Sequence, residues 1–217
     1  MNWKEYINYL LDFVLPRTAE ERLLDGLNAE SFVLKVKPCQ RDSEDIIALF
    51  EYRNKLVKAM LWRLKFKGDR RLASLAAALI HDHLIGQLEE LNLFANFGKP
   101  VIVPVPLSVK RRRKRGFNQC ELIADQLEKI DGGTNFKVVK DAVVKIKETL
   151  SQTSLGNKAE RQKNLLGCFA VSDQKAIRGH SVIVLDDIYT TGSTFAEMKR
   201  ILVEAGAKKI IGLTFAH

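Results

Sequence analysis

The spacing of apolar positions changes period along this chain, and each change marks an element. Trp3, Tyr6, Ile7, Leu10, Leu11 and Val14 recur at helical spacing until Pro16 closes the run. Thr18 followed by Glu21 is a capping-box pattern, and Gly26 supplies a stop, so a second short helix is predicted. Residues 31–45 are mixed and contain Pro38, which makes them the natural boundary between a helical N-terminal segment, 1–45, and a domain, 46–217. Residues 46–52 read as a strand. Helices are predicted over 56–66, ending at Gly68-Asp69, and over 72–93. The apolar run Val101-Ile102-Val103-Pro104-Val105-Pro106 leads through basic residues to a helix over 118–130, and 142–144 is a weaker strand. Val182-Ile183-Val184-Leu185 is apolar at every position, as in a parallel strand buried on both faces. A helix over 193–204, stopped by Gly206, and a strand over 209–215 follow. Strands and helices alternate at intervals that predict an α/β fold with a parallel sheet.

Composition adds limits. The 217 residues are 46% hydrophobic and 28% charged, which excludes a collagen-like or wholly disordered chain. Thirty-five Lys and Arg against 26 Asp and Glu leave a net charge of +9, which favours an anionic partner, either nucleic acid or a phosphorylated small molecule. Cys39, Cys120 and Cys168 stand far apart, so neither a disulfide framework nor a bound zinc ion is expected. His81 and His83 diverge on a helix and make a poor metal pair. No leader peptide and no membrane span are expected, which suits a cytoplasmic protein.

The strongest chemistry lies in VIVLDDIYTTGST, residues 182–194. Asp186 and Asp187 fall at the carboxyl end of a buried strand, where open α/β sheets bind ligands. Thr190, Thr191, Gly192, Ser193 and Thr194 then turn the chain into a helix, presenting backbone N–H groups and hydroxyls to a phosphate. Adjacent carboxylates repel a phosphate but suit ribose hydroxyls or a divalent cation. The combination describes a ribose-phosphate site. Neither GxxxxGK[ST] nor GxGxxG occurs, which disfavours a nucleoside triphosphatase or a dinucleotide enzyme. By residue type, the run Lys110-Arg111-Arg112-Arg113-Lys114-Arg115 suits a phosphate ligand and a polynucleotide equally. No aromatic residue but Phe117 interleaves it, so a base-stacking platform is not indicated.

Residues 182–194 resemble the signature of the type I phosphoribosyltransferases, which bind phosphoribosyl pyrophosphate (PRPP). Val103-Pro104-Val105-Pro106-Leu107 with Arg115-Gly116-Phe117-Asn118-Gln119 is similar to a block of the ComF family. So are Leu64-Lys65-Phe66-Lys67-Gly68-Asp69 and Gln152-Thr153-Ser154-Leu155 with Arg161 and Asn164. The resemblance implies a type I phosphoribosyltransferase-like parallel sheet flanked by helices, with a helical N-terminal appendage. It implies that Asp186 and Asp187 take the ribose and residues 190–194 the 5′-phosphate. Pro106, Leu107, Lys110 and Arg115 would take the pyrophosphate, and Gln152, Thr153, Leu155, Arg161 and Asn164 would form a flexible loop. Asp186, Asp187, Arg115 and Arg161 would be the catalytic set, with Mg²⁺ bound through PRPP and no direct protein ligand. ComF proteins commonly begin with a cysteine-rich zinc module, whereas only Cys39 lies in the first hundred residues here. Purine-salvage relatives carry an acid just before their TG pair; Thr190 stands there, so purine salvage is not expected. Two functions follow from the resemblance. One is a Mg²⁺-dependent transferase moving ribose 5-phosphate to an acceptor. The other is an accessory protein of DNA uptake and competence that meets single-stranded DNA or a helicase.

Overall fold

The computed structural model describes residues 18–39, 45–149 and 164–217. The helix expected near residues 3–14 lies outside them. Two short helices come first, α1 (Ala19–Asp25) and α2 (Ala29–Val33). The expected capping box opens α1: Glu21 N–H donates to Thr18 Oγ1 at 3.2 Å, and Thr18 N–H to the Glu21 carboxylate at 3.0 Å.

Five parallel strands form the main sheet: β1 (Ile46–Phe50), β2 (Val101–Pro104), β3 (Lys137–Val138), β6 (Ser181–Ile188) and β7 (Lys209–Ala216). Their order is β1-β7-β6-β2-β3, so the apolar run 182–185 lies in the central strand. Its side chains alternate between two cores. Ile183 and Leu185 join Ile123 and Leu127 of α6 (Gln119–Asp131), with Leu72, Ile80 and Leu84 of α4 (Arg70–Ala95) and Met60 and Leu64 of α3 (Lys55–Lys67). Val182 and Val184 join Met198, Ile201 and Leu202 of α8 (Ser193–Glu204). Phe32 of α2 is fully buried in the first core, its ring centroid 5.4 Å from Phe50 and 6.1 Å from Phe215.

Three local results differ from the expectation. The basic run is not a loop: it forms α5 (Val109–Arg115), capped by Ser108 and closed by Gly116. It has no apolar period to betray it, yet Lys and Arg are good helix formers and both end signals were present. The strand near 142–144 is β4 (Val143–Lys145), and it stands outside the parallel sheet. It pairs antiparallel with β5 (Phe169–Val171) in a small hood. β3 and β5 were missed because two and three residues are too short to show a period. A four-residue helix, α7 (Gln174–Ile177), leads into β6.

Candidate functional site

Strand alternation sends the two acids of β6 to different faces. Asp187 continues the row of Ile183 and Leu185 toward α6, where Gln119 Nε2 donates to its carboxylate at 3.1 Å. Gln119 Oε1 accepts from Arg115 Nη1 at 3.3 Å, so one amide links the cation of α5 to the acid of β6. Asp186 accepts from its neighbour's backbone N–H at 2.9 Å and from the Cys120 thiol at 3.6 Å. Burial, then the charge of Asp187, pushes the Asp186 carboxyl well above the usual range. Burial and the same two acids push the Cys120 thiol up, which keeps it a protonated donor.

The chain then turns through Tyr189, Thr190, Thr191 and Gly192 into α8. Gly192 has φ 75°, and a Cβ there would drive into the Tyr189 ring, so glycine is required twice over. No side chain caps the N-terminus of α8. Thr190, Gly192, Ser193 and Thr194 line a small pocket with Asp186, and Thr191 shares a 2.9 Å hydrogen bond with Ser193. The uncapped N–H groups and the clustered hydroxyls suit an anion. Thr214, in register with Asp186 on β7, lines the same pocket, and its buried hydroxyl has no hydrogen-bond partner among the described residues. Nothing in the order of residues pointed to it.

On the other side of Asp186 and Asp187 lies a cleft of about 480 Å³. Pro106, Leu107 and Arg115 reach it as expected, whereas Lys110 sits on the exposed side of α5 and is not among its lining residues. The other cations on its wall, Lys65, Arg111, Lys114 and Lys145, come from α3, α5 and the hood. Burial lowers the pKa of Lys145 and of Arg115, the latter also beside Arg111; both groups are desolvated cations facing the acids. Glu148 of the hood holds α5 by accepting from Ser108 Oγ at 2.8 Å and from Lys110 N–H at 3.2 Å. Gln152, Thr153, Leu155 and Arg161 lie outside the described residues. Asn164 directly precedes Leu165, which lines the cleft.

Asn118 sets this arrangement. It is buried, its Oδ1 caps α6 by accepting from Cys120 N–H at 3.0 Å, and its Nδ2 donates to Val105 O at 3.0 Å. Asn118→Ala removes the cap and leaves a buried carbonyl unpaired, so urea denaturation should show a loss of about 1–3 kcal/mol. An unchanged midpoint would refute this role.

One ligand atom each from Cys120, Asp186 and Asp187 lies within 4.8 Å of the others. Two carboxylates fit a hard divalent cation that prefers oxygen, as Mg²⁺ does. The thiol is a poor match for such an ion and is already donating to Asp186.

The phosphoribosyl transferase domain family matches residues 73–216. Over 204 residues the chain is 32% identical to the Competence protein ComFC of Streptococcus pneumoniae, covering 92% of this chain and 82% of that one. It is 28% identical to the Competence protein F of Haemophilus influenzae, over 79% of this chain and 72% of that one. It is also 28% identical to the DNA utilization protein YhgH of Escherichia coli K12, over 81% and 71%. Among solved structures, a hypoxanthine phosphoribosyltransferase from Staphylococcus aureus superposes with a TM-score of 0.34 at 13% identity, covering 65% of this chain and 62% of that one. The sheet order, the domain match and the relatives agree: this chain belongs to the ComF family of phosphoribosyltransferase-like proteins.

Proposed function

We propose that this protein binds PRPP with Mg²⁺ and transfers its ribose 5-phosphate to an acceptor, releasing pyrophosphate. The observation that carries this reading is one juxtaposition. Two carboxylates end the central strand, with an uncapped, hydroxyl-lined helix start on one side and a cation-lined cleft on the other. In this reading Asp186 and Asp187 accept hydrogen bonds from the ribose hydroxyls. The N–H groups at the start of α8, with Thr190, Thr191, Gly192, Ser193 and Thr194, hold the 5′-phosphate. Pro106, Leu107 and Arg115, with Lys110 nearby, receive the pyrophosphate, and Arg115 stabilises its charge as the glycosidic bond breaks. Residues 152–164, including Arg161, close over the cleft and exclude water. Bound Mg²⁺ supplies charge neutralisation on the pyrophosphate and a hold on the ribose diol. Calorimetry and thermal melts with PRPP, with and without Mg²⁺, test the reading. PRPP at a hundred times its Kd adds about 2.7 kcal/mol of stability, which a melt detects readily. A melting temperature that stays flat up to about 1 mM PRPP with Mg²⁺ rejects it.

A second reading draws on the relatives named for competence and DNA utilization. A part in DNA uptake or use would set the exposed cations of α5 against a nucleic-acid backbone.

A further inference from the structure

Helix α3 buries Leu56, Val57, Met60, Leu61 and Leu64, so one face already satisfies its packing. On the opposite face Trp62 is 47% exposed and Phe66 55% exposed. They lie four residues apart, and their ring centroids are 5.4 Å from each other. Cations cover both rings: Lys67 Nζ lies 5.6 Å from the Trp62 centroid, while Lys65 Nζ and the Arg115 guanidinium lie 5.5 and 5.6 Å from that of Phe66. Arg115 comes from α5, so the pair sits where the basic helix meets α3. Gly68 makes that meeting close: its φ is 61°, and the Phe117 ring packs so tightly on it that a Cβ would fall 2.7 Å from a ring carbon. Lys65, Phe66 and Arg115 also line the cleft, so the row of rings and cations runs to its mouth.

We propose that this face of α3, joined to α5, is a stacking track for an unpaired polynucleotide. Two exposed rings interleaved with cations are what unpaired bases and their phosphates need: π-faces for the bases and fixed positive charge for the backbone. The acids bordering the face do not cancel that charge. Asp69 and Asp25 are engaged by Arg63, and Glu121 by Arg112 at 2.7 Å. Charge complementarity therefore selects an anionic occupant, and the rings select one with free aromatic faces. A duplex keeps its bases stacked inside and cannot use the rings. The track is independent of the ribose-phosphate reading, because it needs neither PRPP nor Mg²⁺.

The chain has two tryptophans, Trp3 and Trp62. The full-length Trp3→Phe protein therefore reports on Trp62 alone. Titration with a deoxythymidine oligomer of about 16 nucleotides, without PRPP or Mg²⁺, should quench Trp62 emission, and a uridine oligomer run alongside tells DNA from RNA preference. In that background Phe66→Ala should weaken binding about tenfold, and Trp62→Ala, read by anisotropy of a labelled oligomer, should do the same. Lys67→Gln should reduce the slope of log K against log salt by about 0.7. Circular dichroism confirms that the exposed-site variants remain folded. Binding that survives both ring variants, or a duplex that quenches Trp62 equally, overturns the proposal in favour of a plain charged surface. Resistance of Trp62 to acrylamide quenching overturns it by showing the face covered by another part of the chain. Conversion of a dimer to a monomer by Trp62→Ala or Phe66→Ala overturns it by showing a self-association surface.

Discussion

Replacing Asp186 and Asp187 together by asparagine should lower PRPP affinity by on the order of a hundredfold or more while leaving the fold as stable as before or more so. Asparagine keeps the shape and part of the hydrogen bonding but removes both charges. Each charge-assisted hydrogen bond lost costs about 1.5–3 kcal/mol, and two such losses, short of full additivity, give that range. Stability moves the other way because of Asp186. Its carboxyl is pushed well above the usual range by burial and by Asp187, so its charged form is the unfavourable one in the folded chain. The folded state then binds this proton more tightly than the unfolded chain, whose aspartates titrate near about 4. Between that value and the raised one, stability falls as pH rises, and the wild-type melting temperature should climb on mild acidification. The double variant should lose that part of the climb. PRPP binding, which needs the carboxylate, should weaken over the same acidic window. Calorimetry with Mg²⁺ and melts across pH measure both effects. A double variant that melts much earlier yet binds PRPP unchanged would show the pair to be a structural cap.

Phe32→Ala should destabilise the whole protein by about 3–5 kcal/mol, the range for truncating a buried phenylalanine. Phe32 is fully buried among Phe50 of β1 and Phe215 of β7, whose own centroids are 5.1 Å apart. Removing the ring opens a cavity where a helix, an edge strand and its neighbour meet. Arg63 of α3, bonded to Asp25 at 2.6 Å and to Asp69, holds α1 over the same region and limits collapse into that space. For a chain of this length the loss corresponds to a fall of roughly 6–20 °C in melting temperature. The transition should stay single, because Leu24, Leu27 and Phe32 share one core with Ile183 and Leu213. An unchanged melt would mean that α2 contributes nothing to that core.

Local features were legible from residue order where a period or an end signal repeats. The central strand, its two acids, the turn at Gly192 and α8 all follow one another within about 25 residues, and α8 spans the residues expected of it. The helices α3 and α4 were legible from their apolar spacing, with Gly68 and Asp69 between them. Helix α5 was not, because six consecutive cations carry no period, and only Ser108 and Gly116 mark its ends. The hood was read as a weak strand of unknown place, since three-residue strands draw their pairing from each other.

The sequence by itself therefore determined the α/β class and the ribose-phosphate signature, because both rest on side chains close together in the chain. Which cations face the acids was decided by tertiary structure: Lys65 and Lys145 reach the cleft from α3 and from the hood. Gln119 takes its place between Arg115 and Asp187 only when α6 packs on β6, 68 residues away in sequence. Trp62 and Phe66 are remote from the basic run in sequence, which is why no stacking platform could be read there. Packing of Phe117 on Gly68 brings the end of α5 against α3 and sets a guanidinium on an exposed ring. Periodicity is a property of one segment, whereas a site is a meeting of several, and only burial of their apolar faces selects which segments meet.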